Sequence, residues 1–304
     1  MGSGDTGALY TPVTTGADGT VTVHLGANHP GVHDPVYRAR RAAIAEAALK
    51  WVPGTPAPHI EYTDEEHEVW RIVSHDLGPK HERNAIRAFN EAKARLALPD
   101  DRIPELEEIS AKLMPLTGFR YHPAAGLVDE DIFYGSLADG VFHSTQYIRH
   151  PSVPLYTPEP DLIHEVIGHA NMLADPQFAE VKRLAGHAAR RITTPEAMSF
   201  LGSVFWFTLE FGVMREDGEV KAYGAGLMSS VGEIEEYKKA EIRPFDLYSM
   251  GTLPFDITTY QPVLFAADSM THFVDTIGGF FASFDDDTPA RLAAEAGAEP
   301  VAAA

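Results

Sequence analysis

Cysteine is absent from this chain of 304 residues. Its absence excludes disulfides, thiolate metal ligands, iron–sulfur clusters and a cysteine nucleophile, so any bound metal must be held by histidine and carboxylate side chains. Basic residues are few, since 24 Lys and Arg face 44 Asp and Glu and leave a net charge of −20. Such a surface repels phosphate, and the sequence therefore predicts no nucleic-acid partner.

Long hydrophobic runs are also missing. The most apolar stretch, residues 201–214, is too short to cross a bilayer and contains Glu210. No Lys or Arg precedes Arg38, so the amino terminus lacks the charged start of a signal peptide. These features predict a soluble, cytoplasmic protein with no membrane partner.

The hydrophobic pattern predicts a mainly α fold with small β elements, built as a single domain. Residues 1–30 are expected to form a loose leader with one strand near 20–25, and residues 31–288 the central domain. The Ala-rich end, 289–304, is broken by Gly and Pro and is expected to be a frayed tail.

Most of the central domain has a helical pattern. A capping box at 63–66 opens a helix that is expected to stop at Gly78 and Pro79. Further helices and strands follow from the same periodicity. The helices are predicted over 36–51, 81–98, 104–114, 159–173, 176–191 and 195–214, and the strands over 141–148 and 219–223.

A histidine pair in the segment 164–169 (HEVIGH) is the strongest chemical signal. In the zinc-protease pattern HExxH the histidines are four residues apart, whereas His164 and His169 are five apart. Five residues of an ideal α-helix turn about 500°, which separates the two imidazoles by roughly 140°. One metal could then bind both rings only if it lay between two widely separated side chains, or if the helix were locally distorted. Gly168 would make such a distortion easier. Surface or hydrogen-bonded histidines are the alternative.

Glu210 is a carboxylate inside a run, 203–214, that is otherwise almost wholly apolar and helix-like. Burying it is costly unless it is paired with a cation such as Arg or bound to a metal. Its neighbours four residues away, Trp206 and Met214, indicate that it points into the protein. Two histidines and one carboxylate form the facial triad of non-haem Fe(II) oxygenases. A zinc hydrolase with Glu165 as its base would use the same three residues.

Five motifs in the same order resemble those of the pterin-dependent aromatic amino acid hydroxylases, and phenylalanine hydroxylases of bacteria are the most similar members. The likeness runs from about residue 119 to 262. The motifs are 142–150 (FHSTQYIRH), 156–161 (YTPEPD), 164–169 (HEVIGH), 206–212 (WFTLEFG) and 223–230 (YGAGLMSS). The resemblance implies that residues 31–288 form a single catalytic domain and that the protein is a monomer. It also implies Fe(II) and a tetrahydropterin such as tetrahydrobiopterin as cofactors, with O2 as co-substrate.

The resemblance also implies roles for individual residues. The iron ligands it implies are His164, His169 and Glu210. The substrate contacts it implies are Arg149 at the carboxylate, Thr157 and Ser229 at the backbone, and Trp206 and Ile257 at the ring. The pterin contacts it implies are Phe133, Glu165 and Leu127. Taken without the resemblance, Arg149 fits a surface ion pair, Phe133 a core position and Glu165 a solvated helix charge.

The sequence departs from the family pattern at three places. Phe205 stands where a tyrosine is common near the iron, so one hydroxyl is missing. Ala170 and Asn171 follow the second histidine where Val-Pro is usual, so the sequence does not indicate where this helix ends. Residues 120–131 match the pterin loop poorly outside Gly126 and Leu127.

The expected substrate is L-phenylalanine, converted to L-tyrosine. An indole at position 206 leaves room for a single ring, and Ile257 offers no partner to a phenolic hydroxyl, whose unpaired burial costs roughly 1–3 kcal/mol. Tryptophan 5-hydroxylation and phenylalanine 3-hydroxylation remain alternatives within the family. The glycines at 224 and 226 resemble part of a dinucleotide fingerprint, but Ser229 replaces the third glycine and no βαβ pattern surrounds them.

Overall fold

The computed structural model describes residues 12–257 and 259–297. Helices dominate this part of the chain, and the prediction of a mainly α domain with small β elements is confirmed. The α-helices are α1 (Pro35–Leu49), α2 (Asp64–Asn84), α3 (Arg87–Leu96), α4 (Leu106–Thr117), α5 (Glu130–Leu137), α6 (Asn171–Leu173), α7 (Pro176–Ala189), α8 (Pro195–Phe205), α9 (Ala225–Ser229), α10 (Glu233–Glu236), α11 (Leu247–Thr252), α12 (Met270–Phe273), α13 (Gly279–Ser283) and α14 (Thr288–Glu295).

Four stretches of the described residues have other helical geometry. The π-helical segments, in which hydrogen bonds join residues five apart, are π1 (His164–Ala170), π2 (Trp206–Glu210) and π3 (Val274–Gly278). A single 3₁₀ turn covers Tyr237–Lys239. None of the described helices is both long and apolar enough to span a bilayer.

Short strands form three small sheets. The strands are β1 (Val13–Thr15), β2 (Val21–Val23), β3 (Arg120–Pro123), β4 (Val141–Ser144), β5 (Val213–Glu216), β6 (Glu219–Ala222), β7 (Glu241–Pro244) and β8 (Val263–Ala267). An antiparallel hairpin joins β1 to β2, and β3 pairs with β4 in parallel. The four-stranded sheet has the order β6-β5-β8-β7.

Local sequence signals account for several helix starts. Thr63 and Glu66 form a reciprocal capping box at α2, as predicted. Asp175 and Thr194 cap α7 and α8, and each of these helices has proline at its first position, where the missing N–H costs nothing. The two helices are thereby fixed at their amino ends beside the segments that carry the site.

The predicted stop at Gly78 and Pro79 is wrong, because α2 continues through Pro79 to Asn84. Leu77 and His81 are buried on either side of the proline, so packing holds the helix together across the lost hydrogen bond. The helix predicted over 195–214 is also too long. It ends at Glu210, and Met214 belongs to β5.

Both ends of the chain are more ordered than expected within the described residues. Val13–Thr15 form a strand, and His29, which is buried, lies 3.4 Å from the Glu159 carboxylate. The predicted tail forms α14 up to Glu295, with Ala293 buried against the core. Residues 1–11 and 298–304, on which the rest of the leader and tail predictions fall, lie outside the described part.

Candidate active site

The two predicted histidine ligands lie on the π-helical segment π1. A hydrogen bond between residues five apart brings such residues close to the same face, which an α-helix does not do. The Nε2 atoms of His164 and His169 are accordingly 3.1 Å apart. The five-residue spacing that argues against an α-helical metal site is therefore the spacing that a π-helix needs.

Glu210 completes the group from the end of π2, where the Phe211 N–H bonds the Trp206 carbonyl five residues back. Its Oε1 is 3.1 Å from His169 Nε2, and its Oε2 is 3.6 Å from His164 Nε2. The Glu165 carboxylate lies within 4.8 Å of the imidazole nitrogens as well. We call His164, His169 and Glu210 the metal cradle, because two imidazoles and one carboxylate suit a mononuclear Fe(II) and leave coordination positions open.

Burial sets the charge of the metal cradle. Loss of solvent and, as the next largest cause, the neighbouring His169 together lower the pKa of His164 to about 4. Burial, followed by the cation of Lys182, holds the pKa of His169 well below its usual range, while burial raises the pKa of Glu210. Both rings are neutral at pH 7, which is the state that binds a metal.

The Nδ1 atoms of His164 and His169 contact different side chains. His164 Nδ1 is 2.9 Å from Ser229 Oγ, and that hydroxyl donates to the Ala225 carbonyl. The Ser229 oxygen can therefore accept a hydrogen bond from the Nδ1–H of His164. With its proton on Nδ1, His164 presents the lone pair of Nε2 to the metal cradle. His169 Nδ1 faces the amine of Lys182 instead, at 2.6 Å.

The motif at 223–230 packs against both ligand segments. A Cβ at Gly168 would lie 2.6 Å from the Ala225 carbonyl, and a Cβ at Gly224 would lie 2.3 Å from the Glu210 carbonyl. Glycine is required at both places because backbone meets backbone. Gly168 lies inside the π-helical distortion expected near it, and it also allows the close packing on Ala225. Ser229, expected at the substrate backbone, contacts His164.

Arg149 is buried and bound by the carboxylate of Asp161. Its Nε and Nη2 donate to Asp161 Oδ2 and Oδ1 at 2.9 and 2.8 Å. Burial favours the neutral acid, but the Arg149 guanidinium outweighs it and lowers the pKa of Asp161. Asp161 Oδ1 also accepts the His164 N–H at 3.3 Å, so this one carboxylate fixes Arg149 relative to the metal cradle. The surface ion-pair interpretation of Arg149 is wrong.

The other predicted substrate contacts occupy loops or the edge of π2. Thr157 donates its hydroxyl hydrogen to the Glu159 carbonyl at 2.8 Å. The partly buried Trp206 donates its indole N–H to Gln261 at 3.1 Å. Ile257 is 39% exposed, in the segment between α11 and β8.

The predicted pterin residues differ in how they are connected to the metal cradle. Phe133, on α5, packs edge-on against Phe142, whose ring lies 4.7 Å from that of His169. Leu127 lines a cavity of about 400 Å³ together with Gly126 and His143. Glu165 is buried, and burial, with the charge of Glu210, raises its pKa well above the usual range. The solvated-charge interpretation of Glu165 is therefore wrong.

The three departures from the family pattern have simple structural outcomes. Phe205 is buried and packs edge-on against Tyr134 at 5.0 Å. The helix continues past Ala170 to Leu173, and the Asn171 side chain donates to the Ile167 carbonyl at 2.9 Å. Residues 120–123 form β3.

Sequence reasoning missed Lys182, Asp161 and Gln261. Lys182 is fully buried, and burial lowers its pKa to about 8. It lies on the apolar side of α7, four residues after the buried Phe178, so a lysine inside an apolar stripe was the available signal. Asp161 ends the motif 156–161 and Gln261 lies near the end of the region of family likeness, but no sequence pattern pairs either residue with its partner.

A mononuclear site of two histidines and one carboxylate at the centre of a mainly helical domain defines a small class of oxygen-using metalloproteins. Residues 19–293 match the family described as biopterin-dependent aromatic amino acid hydroxylase, and the chain belongs to that family. This membership decides against the zinc-hydrolase alternative. The predicted cofactors agree with the family description.

Individual relatives differ in the reaction that their names give. Phenylalanine 3-hydroxylase from Streptomyces coeruleorubidus is 48% identical over 264 residues, 87% of this chain and 95% of that protein. Phenylalanine-4-hydroxylase from Dictyostelium discoideum is 41% identical over 266 residues, 86% of this chain but 60% of that longer protein. The chain also resembles Chromobacterium violaceum phenylalanine hydroxylase with bound iron(III) and 7,8-dihydrobiopterin (TM-score 0.69, 28% identity, covering 79% of this chain and 85% of that one).

Proposed function

We propose that this protein is a monooxygenase that hydroxylates the ring of free L-phenylalanine with Fe(II), a tetrahydropterin and O2. The observation that carries the proposal is the convergence of two neutral imidazoles and the Glu210 carboxylate within 3.1 to 3.6 Å, in a member of the biopterin-dependent hydroxylases. His164, His169 and Glu210 are the proposed iron ligands.

When bound, iron and pterin would supply the electrons that reduce O2, so that one oxygen atom enters the aromatic ring. The protein holds the metal with three side chains and leaves the remaining positions open. Ser229 orients the His164 ring, and the nearly complete burial of π1 keeps water from the inner side of the metal cradle.

Arg149 is proposed to bind the substrate carboxylate. Asp161 occupies its Nε and Nη2, which leaves Nη1 directed away from that pair. The substrate carboxylate would therefore meet an arginine that is already fixed, so little side-chain entropy is lost on binding. Because Asp161 also bonds the backbone of His164, the amino acid and the metal are positioned by one rigid unit.

The ring of the substrate is proposed to lie against Trp206 and Ile257. Neither side chain offers a free polar group to a phenolic hydroxyl, because the indole N–H is already bound to Gln261. A tyrosine hydroxyl would then be buried unpaired, at a cost of roughly 1–3 kcal/mol. Phe133 and Leu127 are proposed to contact the pterin, with Glu165 beside it.

The ring position has two candidates. Attack at C4, which gives L-tyrosine, is the position expected from the sequence motifs. Attack at C3 is favoured by a specific observation, the 48% identity to phenylalanine 3-hydroxylase over 95% of that relative. Chromatography against authentic para- and meta-tyrosine separates the two products.

The experiment that tests the function uses metal-free protein reloaded with Fe(II) or Zn(II). Each form is given L-phenylalanine, L-tyrosine or L-tryptophan with and without tetrahydrobiopterin under ¹⁸O2, and products are measured by mass spectrometry. We expect ¹⁸O in the ring of phenylalanine only with Fe(II) and pterin together. Turnover with Zn(II), or turnover that does not depend on pterin, would contradict the proposal.

A further inference from the structure

The segment between α11 and β8 carries three half-exposed apolar side chains. Phe255, Ile257 and Tyr260 are 37%, 39% and 56% exposed. The described residues of this segment, 253–257 and 259–261, have no regular secondary structure, so backbone hydrogen bonding of a helix or sheet does not fix them. We call residues 253–257 and 259–261 the ring loop.

Gln261, at the end of the ring loop, is buried and uses both ends of its side-chain amide. Its Nε2 donates to the carbonyls of Asp256 and Thr259 at 2.9 and 3.1 Å, which closes the loop on itself. Its Oε1 accepts the indole N–H of Trp206 at 3.1 Å. Its backbone N–H donates to the buried Glu233 carboxylate at 2.7 Å.

The Trp206 indole is held on its faces as well as at its nitrogen. The Phe255 ring is stacked on it, with centroids 4.5 Å apart and planes 12° from parallel. Phe211 lies 4.5 Å away on the same π-helical turn. Trp206 starts the turn that ends with Glu210, so the indole is connected to the metal cradle by a few backbone bonds.

We propose that Gln261 is a positioning residue that determines substrate specificity, because it fastens the Trp206 indole to the ring loop and so fixes the width of the ring pocket. This inference rests on the proposed function. A fixed indole wall admits one six-membered ring and disfavours the larger indole of tryptophan. Without the Gln261 amide, the stacking of Phe255 is left to connect the loop to the indole, so the position of the indole is less firmly fixed.

Gln261→Met tests this inference, because methionine has a similar length and cannot make the hydrogen bonds. The ratio of kcat/KM for phenylalanine to that for tryptophan should fall about tenfold, the equivalent of one hydrogen bond. Iron content and the KM for pterin should stay unchanged. Gln177→Met, at an exposed position on α7, is the matched control and should leave the ratio as it is.

Trp206→Phe removes the same hydrogen bond from the other side and closes a double-mutant cycle. In the Trp206→Phe background, Gln261→Met should change the ratio less than twofold, since no indole N–H is left to hold. An equal effect in both backgrounds, or equal losses for both amino acids, would overturn the inference and leave Gln261 a general stabilising residue.

A measurement without turnover separates this inference from the proposed function. The chain has three tryptophans, so ¹⁵N-tryptophan labelling gives few indole N–H signals, and the Trp206→Phe spectrum assigns the one in question. Gln261→Met should shift that signal and speed its exchange with water. An unmoved signal overturns the inference even if the enzyme is active, and absence of hydroxylation with a shifted signal contradicts only the proposed function.

Discussion

The metal cradle and the ring loop lie at opposite ends of π2 but are built differently. The cradle side chains are 2% to 19% exposed. They lie on π1 and π2, which pack so closely on the segment 223–230 that a Cβ atom at Gly168 or Gly224 would clash with backbone. The ring loop has no regular structure, exposes its apolar side chains and depends on the amide of Gln261. If the proposed function holds, the packed core determines the type of reaction, whereas a few contacts in a loop determine which amino acid is accepted.

Loss of a cradle side chain should have the largest effect. His164→Ala, His169→Ala and Glu210→Ala should each abolish iron retention and reduce activity by more than about a thousandfold, because two ligands hold the metal poorly. Metal analysis and turnover of each variant check this. Full activity with iron still bound in any of the three would remove that residue from the ligand set.

Arg149→Lys should have the next largest effect. An ammonium cannot make both bonds to Asp161 and still present an N–H to the substrate, so the KM for phenylalanine should rise about 10- to 100-fold. The KM for pterin should change little, which steady-state kinetics can establish. An unchanged KM for phenylalanine would show that Arg149 serves only to fix the loop.

The carboxyl group of Glu233, which accepts the backbone N–H of Gln261, makes the free energy of unfolding depend on pH. Burial raises its pKa from 4.5 to about 7, against the bond from the Gln261 N–H, which lowers it. The folded pKa is above the unfolded one, so the stabilisation is complete below pH 4.5 and is lost as the pH rises through 7. Relative to Glu233→Gln, the wild-type protein should lose about 1–3 kcal/mol of unfolding free energy between pH 4.5 and 7.5.

Urea unfolding of both proteins at several pH values measures this difference. Glu236→Gln, in the same short helix but with a side chain 43% exposed, is the control, and its difference from wild type should stay nearly constant. A constant difference for Glu233→Gln as well would mean that the carboxyl does not titrate in this range.

Phe133→Ala should have the smallest effect of the four. Loss of stacking on the pterin should raise the KM for pterin several-fold, since an aromatic pair contributes about 0.5–1.5 kcal/mol. The KM for phenylalanine should stay within twofold. Equal increases in the two constants would point to damage of the packing around Phe142.

The sequence predicts most of the helices, because periodicity and caps are local. The three predicted ligands lie together in the structure, and their binding of iron stays a prediction. The sequence does not predict that His164 and His169 face each other, since only a π-helix reconciles their spacing with one site. Helix α2 also passes Pro79 against the local signal. In both cases tertiary packing outweighs the preference of the local sequence.

Hydrogen bonds between residues that are far apart in the sequence cannot be predicted from it either. Ser229 is 65 positions from His164, and Gln261 is 55 positions from Trp206. The family motifs mark some of these residues, yet their partners follow only from how α9 and the ring loop pack on π1 and π2. The contact of Ser229 with the substrate backbone stays a prediction beside its observed bond to His164.

The most direct test of substrate choice places L-phenylalanine, L-tyrosine and L-tryptophan together in one reaction of the Fe(II) protein with tetrahydrobiopterin. Competition gives the ratios of kcat/KM without separate assays. We predict that phenylalanine is consumed fastest, because the fixed indole of Trp206 and the aliphatic Ile257 accept one unsubstituted ring. Tryptophan or tyrosine consumed as fast as phenylalanine, or faster, would contradict the account.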